Sequence, residues 1–241
     1  TIRQYFIRKL AEVMNVDDNW QEFPTPYSTV DQMIETTNNI VNKKILVMFN
    51  PEFVERLIDK YKVEHKNILF VADSWQEKLL VDKLYDTVST ATYTKKDFEK
   101  GEKYLIERIQ EMCIKNFDIV FSNPPYNRGL DLKMMSTLYE ICDEMVLVHP
   151  STWLIDLKGK SKLFNDTKEL FAKSLKSATL FNGNPVFGIG LFVPCVITHI
   201  DKKKDVETPI DVNYFARKFK VSDINDITNF GPEWMTVVKP F

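Results

Sequence analysis

The chain has 241 residues, 44% hydrophobic and 27% charged, and its 32 Lys and Arg against 34 Asp and Glu give a net charge of −2. This fits one large α/β domain or two small ones, one being the better expectation, and a content of only 7 Gly excludes a collagen-like, linker-rich or disordered chain. No run of about 18 apolar residues is present, so no membrane span is expected, and the balanced charge leaves any nucleic-acid contact to local patches.

Residues 2–14 place Ile2, Phe6, Ile7, Leu10 and Val13 on one helical face, which predicts a helix there. Turn signals follow at Asp17-Asp18-Asn19 and Pro24-Thr25-Pro26. A helix capped by Ser28 and using Val30, Met33, Ile34 and Ile40 is expected next. The short run Lys44–Phe49 between polar flanks reads as a buried parallel strand, and Pro51 opens a helix over Glu52–Tyr61. Asn67–Asp73 repeats the strand pattern and ends in a carboxylate. Asp73 or Ser74 then caps a helix over Gln76–Tyr85. Thr87–Tyr93 is a weaker strand, Lys103–Cys113 a helix, and Phe117–Phe121 a strand running into Ser122-Asn123-Pro124-Pro125-Tyr126. Leu132–Cys142 reads as helix, Glu144–His149 as strand and Leu163–Leu175 as helix. Ala178–Phe181 and Leu191–Ile200 read as strands around the turn Asn182-Gly183-Asn184-Pro185.

Alternating short strands and helices imply βαβ units, hence an α/β fold with a doubly wound, mostly parallel sheet covered on both faces. The late pair of strands adds an antiparallel hairpin. In such sheets ligands bind beyond the carboxyl ends of the strands, which directs attention to Asn50, Asp73, Asp97 and above all Asn123.

The segment Asn123-Pro124-Pro125-Tyr126 has a physical logic. Two prolines fix φ near −65° and remove two N–H donors, and they push Asn123 toward an extended conformation. The product is a stiff, acceptor-rich loop in which the Asn123 amide oxygen and the Pro124 carbonyl can accept from one NH₂ group. Tyr126 offers a flat face on which a base can stack. An amine conjugated to a ring is a poor nucleophile because its lone pair is delocalised. Two acceptors out of the ring plane would draw the nitrogen toward tetrahedral geometry and localise that pair, stabilising the transition state without a deprotonated side chain. The competing reading is a rigid turn closing a strand.

Phe117–Tyr126 resembles the S-adenosylmethionine-dependent amino-methyltransferases, especially the DNA adenine-N6 enzymes of restriction–modification systems and phages. Their signature is an acidic or amide residue followed by Pro-Pro-aromatic after the fourth strand. The resemblance implies a Rossmann-like class I methyltransferase fold with a seven-stranded sheet, S-adenosylmethionine as cofactor and an adenine in DNA as substrate. It also implies the cytoplasm of a bacterial or phage-infected cell. It makes Asn123, Pro124, Pro125 and Tyr126 the catalytic loop, with Asn123 facing an open cleft. Thr25, the loop Asn50-Pro51-Glu52-Phe53, Asp73 as ribose ligand, and Asp97-Phe98 near the cofactor adenine form the expected cofactor set. Tyr126 and, in the loop Pro150-Ser151-Thr152-Trp153, Trp153 are the expected substrate contacts, although Trp153 also suits core packing. The implied division is an N-terminal helical extension over 1–24, a catalytic domain over 25–200, and a C-terminal extension or the start of a target-recognition region over 201–241.

Two departures shape the expectations. The family loop after the first strand is rich in Gly because the backbone approaches the cofactor closely, yet no Gly precedes Gly101 here. Weak cofactor binding by this chain alone, or binding completed by a partner subunit or DNA, is therefore expected. Only His199–Phe241 remains for target recognition, and the chain begins at Thr1 rather than Met. A fragment of a longer protein, a partner subunit, or a substrate other than duplex DNA would each account for this. Methylation of an RNA base or a protein glutamine, and a catalytically degenerate binding subunit, stand as alternatives. His65, His149 and His199 are isolated in sequence, so no metal site is expected. Cys113, Cys142 and Cys195 show no ligand spacing and suit a reducing compartment. The runs Lys202-Lys203-Lys204 and Arg217-Lys218-Phe219-Lys220 read more simply as solvated surface than as nucleic-acid patches.

Overall fold

A computed structural model of the chain describes residues 24–111, 116–126, 129–155, 161–188, 193–214 and 217–230, without the side chains of Lys95, Phe98, Glu102 and residues 228–230. The helix expected over 2–14, the extension before residue 24, and Cys113 lie outside the described residues.

Helix α1 (Tyr27–Glu35) starts directly after Pro26, whose extended backbone (φ −58°, ψ 143°) forms the N-cap without a side-chain bond. Ser28 is therefore inside the first turn rather than capping it. Val30, Met33 and Ile34 are its buried face. Strand β1 (Ile45–Met48) is buried at all four residues and α2 (Pro51–Asp59) begins with Pro51 in its first turn. An Arg56 fork to both oxygens of Asp31, with Nε 2.9 Å from Oδ1, fastens α2 to α1. β2 (Ile68–Ala72), buried throughout, leads to α3 (Trp75–Leu84), and β3 (Ser89–Thr92) to the short α4 (Lys95–Phe98) and to α5 (Glu102–Glu111). β4 (Phe117–Ser122), α6 (Leu130–Glu140), β5 (Cys142–Pro150), α7 (Thr152–Ile155) and α8 (Lys162–Phe171) follow. The chain then makes β6 (Leu175–Asn182), α9 (Gly183–Phe187), β7 (Pro194–Asp201), β8 (Ile210–Tyr214), β9 (Arg217–Val221) and a 3₁₀ segment over Ile224–Phe230.

The strands form one sheet in the order β3-β2-β1-β4-β5-β7-β6-β8-β9. β1 to β5 run parallel, and β7 lies antiparallel between β5 and β6. β8 is parallel to β6 and β9 antiparallel to β8. Among the described residues there are nine strands instead of the expected seven, because residues 210–221 extend the same sheet by two. The expected turn at Asn182–Pro185 is instead the start of α9, with Asn182 Oδ1 accepting from the Asn184 N–H at 3.0 Å.

Helices cover both faces of the sheet. One core gathers Leu46, Leu69, Val120, Leu147 and Val196 under α5, α6, α7 and α8; the other gathers Ile45, Phe70, Phe121, Val146 and Ile197 under α1, α2 and α3. Continuous apolar strands are what a parallel sheet buried on both faces requires. The chain winds from β1 outward to β3, then crosses back so that β4 takes the other side of β1. That reversal marks, beyond the carboxyl ends of β1 and β4, the place where ligands of open α/β sheets bind.

Candidate active site

The ends of β1 and β4 are tied together. Met48 pairs with Ser122, and Ser122 Oγ donates to the Met48 carbonyl at 3.0 Å. Past Met48 the backbone turns through two left-handed residues, Phe49 at φ 62° and Asn50 at φ 57°. That conformation costs an L-residue about 1–2 kcal/mol, least for Asn, and a bulky side chain holds it only where its surroundings enforce it. Here the Phe49 N–H donates to the Val71 carbonyl at 2.7 Å and the Phe49 ring is wholly buried. Asn50 is the N-cap of α2 and Pro51 its first residue. The backbone shape that glycine normally supplies is thus present without glycine. Phe53 points away from this turn into the core, stacked on Phe121 with ring centroids 5.8 Å apart.

Carboxyl groups line the adjoining end of β2. Asp73 and Glu52 are both buried. Ser74, not Asp73, caps α3, accepting from the Glu77 N–H at 3.4 Å. Asp73 is therefore not consumed as a cap. Glu77, overlooked in the sequence, turns its carboxyl toward the Asp73 side chain and backbone, and its buried Oε2 has no hydrogen-bond partner among the described residues. Burial, then the negative charges of Asp73 and Glu52, push Glu77 well above the usual carboxylate range. The only sequence signal for Glu77 is Ser74-x-x-Glu77, which reads as a capping box.

Asn123 follows β4 and is 4% exposed, so water does not solvate its amide. Its Nδ2 donates to Thr25 Oγ1 at 3.1 Å, and its Oδ1 accepts from the Tyr126 hydroxyl at 2.5 Å. The same hydroxyl lies 3.4 Å from the Val148 carbonyl. The expectation of an Asn123 open to a cleft is corrected here: the phenol covers the amide oxygen. Burial pushes the Tyr126 hydroxyl well above the usual phenol range, with Cys195 and Asp131 adding to it, so it keeps its proton. Pro124 and Pro125 are buried.

Asp97 closes a capping box with Thr94, accepting from the Thr94 N–H at 2.9 Å, and pairs with Lys100 at 2.9 Å. The Phe98 side chain is outside the described part. Trp153 is 1% exposed, stacked on His149 at 5.8 Å and edge-on to Phe171, and so presents no face to a substrate in this conformation. His149 itself is buried, with Nε2 3.0 Å from Thr198 Oγ1 and Nδ1 3.5 Å from Asp131 Oδ2. This cluster joins the first turn of α6 to the end of β5. Among the described residues no group of three His, Cys, Asp or Glu could hold a metal, and no helix is long and apolar enough to cross a membrane.

The sequence matches no protein-family model and no curated protein. Solved structures do share the fold. A protein assigned as the modification subunit of a type I restriction enzyme from Vibrio vulnificus aligns over 99% of this chain and 57% of its own, at 13% identity and a TM-score of 0.59. The M protein of the type I restriction enzyme EcoKI aligns over 81% of this chain and 48% of its own, at 12% identity and a TM-score of 0.56. A protein assigned as a class I S-adenosylmethionine-dependent methyltransferase from Listeria monocytogenes aligns over 97% of this chain and 78% of its own, at 13% identity and a TM-score of 0.54. The fold is the one these class I methyltransferases share, and the chain spans about half the length of the restriction–modification subunits it matches.

Proposed function

We propose that this chain transfers a methyl group from S-adenosylmethionine to the N6 amine of adenine in DNA, as part of a restriction–modification system. The observation that carries the reading is the Asn123 amide. It stands at the carboxyl end of β4, beside the turn after β1, with Oδ1 directed at a hydrogen-bond donor and Nδ2 held from behind. The phenol now on Oδ1 marks a seat for an N–H donor. A target amine takes that seat by displacing the Tyr126 hydroxyl.

The residues present suit the cofactor. Its cationic groups match the negative field of Glu52 and Asp73, its ribose hydroxyls suit the Asp73 carboxylate, and the left-handed turn at Phe49–Asn50 gives the close backbone approach its amino-acid end requires. When bound, S-adenosylmethionine supplies a methyl group on a sulfonium centre. The chain's part is to orient the amine and localise its lone pair. Asn123 Oδ1 and the Pro124 carbonyl accept hydrogen bonds from its two N–H groups out of the ring plane, and the partial negative charge of those fixed acceptors stabilises the positive nitrogen as it forms; the surplus proton leaves to solvent once the nitrogen carries the methyl group. The Tyr126 ring, freed from Asn123, stacks on a base flipped from the duplex.

Purified chain, alone and with the other subunits of its system, is incubated with labelled cofactor and adenine-containing DNA, followed by mass spectrometry of the nucleosides. N6-methyladenine formed by the wild type and lost in Asn123→Ala is the expected result. Label in RNA or in protein glutamine would replace the substrate. Cofactor binding with no transfer to any acceptor would make the chain a binding subunit.

A further inference from the structure

Thr25 is the residue whose surroundings fit least with a simple cofactor contact. Prolines flank it on both sides, and the residue before a proline is held extended. Thr25 is fully buried, and its hydroxyl receives the Asn123 Nδ2 proton at 3.1 Å across 98 positions of sequence. A carboxamide has one donor end and one acceptor end of nearly the same shape. Turned about, Asn123 would present N–H to the incoming N–H of a target amine, and the two donors would repel. Whatever fixes the amide's sense therefore fixes whether the loop after β4 attracts an amine at all.

We propose that Thr25 is a positioning residue that anchors the Asn123 amide, its hydroxyl oxygen accepting from Nδ2 in the observed arrangement so that Oδ1 stays toward the target. This rests on the amine-directed reading of Asn123 above, and it assigns Thr25 to the substrate side of the reaction rather than to cofactor affinity. Tyr126 cannot do the job, because its hydroxyl leaves Oδ1 when the amine arrives. The Thr25 bond lies behind the amide and persists through that exchange. Replacing Thr25 with Val keeps the shape and removes the acceptor, leaving a buried Nδ2 unsatisfied and the amide free to turn.

The test compares Thr25→Val with Thr25→Ser. In Thr25→Val, kcat should fall about tenfold or more while the Kd for S-adenosylmethionine, measured by calorimetry, stays within about twofold. Thr25→Ser should restore most of the lost rate. A cofactor ligand would give the reverse split, with Kd rising and kcat holding, and that result overturns the proposal. A second readout needs no turnover. The side-chain amide signals of Asn123 in a ¹⁵N–¹H spectrum, identified by their loss in Asn123→Asp, should move in Thr25→Val and stay in Thr25→Ser. Signals unmoved by Thr25→Val likewise overturn it. A wild-type chain that methylates nothing would defeat the proposed activity, and the spectrum would still decide the role of Thr25.

Discussion

The Asn123 amide is bonded at both ends, so the two partners it holds have separable effects. On the proposed activity, Asn123→Ala removes a preorganised acceptor made for the transition state, and a loss of about 10²–10³ in kcat is expected with cofactor affinity nearly unchanged; single-turnover kinetics and calorimetry check this together. Tyr126→Phe deletes only a hydroxyl that must leave Oδ1 before the amine enters, so base binding should change little. Tyr126→Ala deletes the stacking face and should weaken binding of a flipped base by about 1–3 kcal/mol. Equal losses in the two variants, measured with a fluorescent base analogue, would show that the hydroxyl and not the ring is what the base needs. These roles were legible to different degrees. Asn123–Tyr126 announces itself because its chemistry is local: four adjacent residues stiffened by two prolines. Thr25 and Glu77 do not, because Thr25 meets its partner only through the tertiary fold and Glu77 is disguised by a spacing that reads as a helix cap. Trp153 resembles a substrate contact in sequence, but its size was better used filling the space between His149 and Phe171.

At the scale of elements, a close approach at the site end of the sheet and buried charges at its opposite end hold the strands in register. Gly183 opens α9 where a Cβ would stand 2.6 Å from Cys195 Sγ and 3.0 Å from the Val193 carbonyl. The backbone oxygen cannot swing aside, so Gly183→Ala should destabilise the β6–β7 connection by about 1–3 kcal/mol, read as a lowered midpoint in urea at unchanged slope. Glu144 on β5 is held by His199 of β7 at 3.1 Å and by Lys43, just before β1, at 2.6 Å. Burial alone would raise its carboxyl; the bonds from His199 and Lys43 outweigh that and bring it from 4.5 down to about 2. The folded value lies below the unfolded one, so this stabilisation is present above about 4.5 and is lost as pH falls toward about 2. Glu144→Gln should cost of order 2 kcal/mol at neutral pH and flatten the acid limb of the stability curve. The parallel core is readable because β1, β2, β4 and β5 each carry a run of apolar residues, which the polar β3, Ser89-Thr90-Ala91-Thr92, does not. β8 and β9 are hard to read because their alternation of apolar and polar residues, Ile210-Asp211-Val212-Asn213-Tyr214 and Arg217-Lys218-Phe219-Lys220-Val221, is weighted with charge, and Arg217–Lys220 reads as basic surface. The structure uses the apolar half of that alternation against the core and leaves Lys218 and Lys220 exposed on an edge strand, where lysine discourages further pairing.

Across the whole molecule, the proposed cofactor binding would join the turn after β1, the acids beyond β2 and the stability of the sheet they rest on. The missing glycines argue for weak binding by this chain alone, and part of that argument no longer holds, because Phe49 and Asn50 supply the left-handed backbone themselves. What still opposes tight binding is the donor that Pro51 lacks and the repulsion between nearby acids and the cofactor's carboxylate. What favours it is the same negative field acting on the sulfonium and ammonium. Glu77 decides how that balance moves with pH. Its carboxyl is raised in the folded chain, so its contribution to stability is full below the ordinary carboxylate range and declines as pH rises through the raised value. Glu77→Gln, which keeps the shape and removes the charge, should therefore raise the Tm of the ligand-free chain on the alkaline side of that value. A cation entering beside Glu77 favours its ionised form, so S-adenosylmethionine should bind with release of a proton and less tightly as pH falls. The neutral thioether product, S-adenosylhomocysteine, lacks the sulfonium and should bind more weakly. Saturating cofactor at about 100 times its Kd should add about 2.7 kcal/mol to the stability of the chain. Calorimetry in buffers of different ionisation enthalpy counts the proton directly. Equal affinity for the two ligands, with no proton released and no change in Glu77→Gln, would place the cofactor's charge away from Glu77 and leave the carboxyls a purely structural cluster at the end of β2.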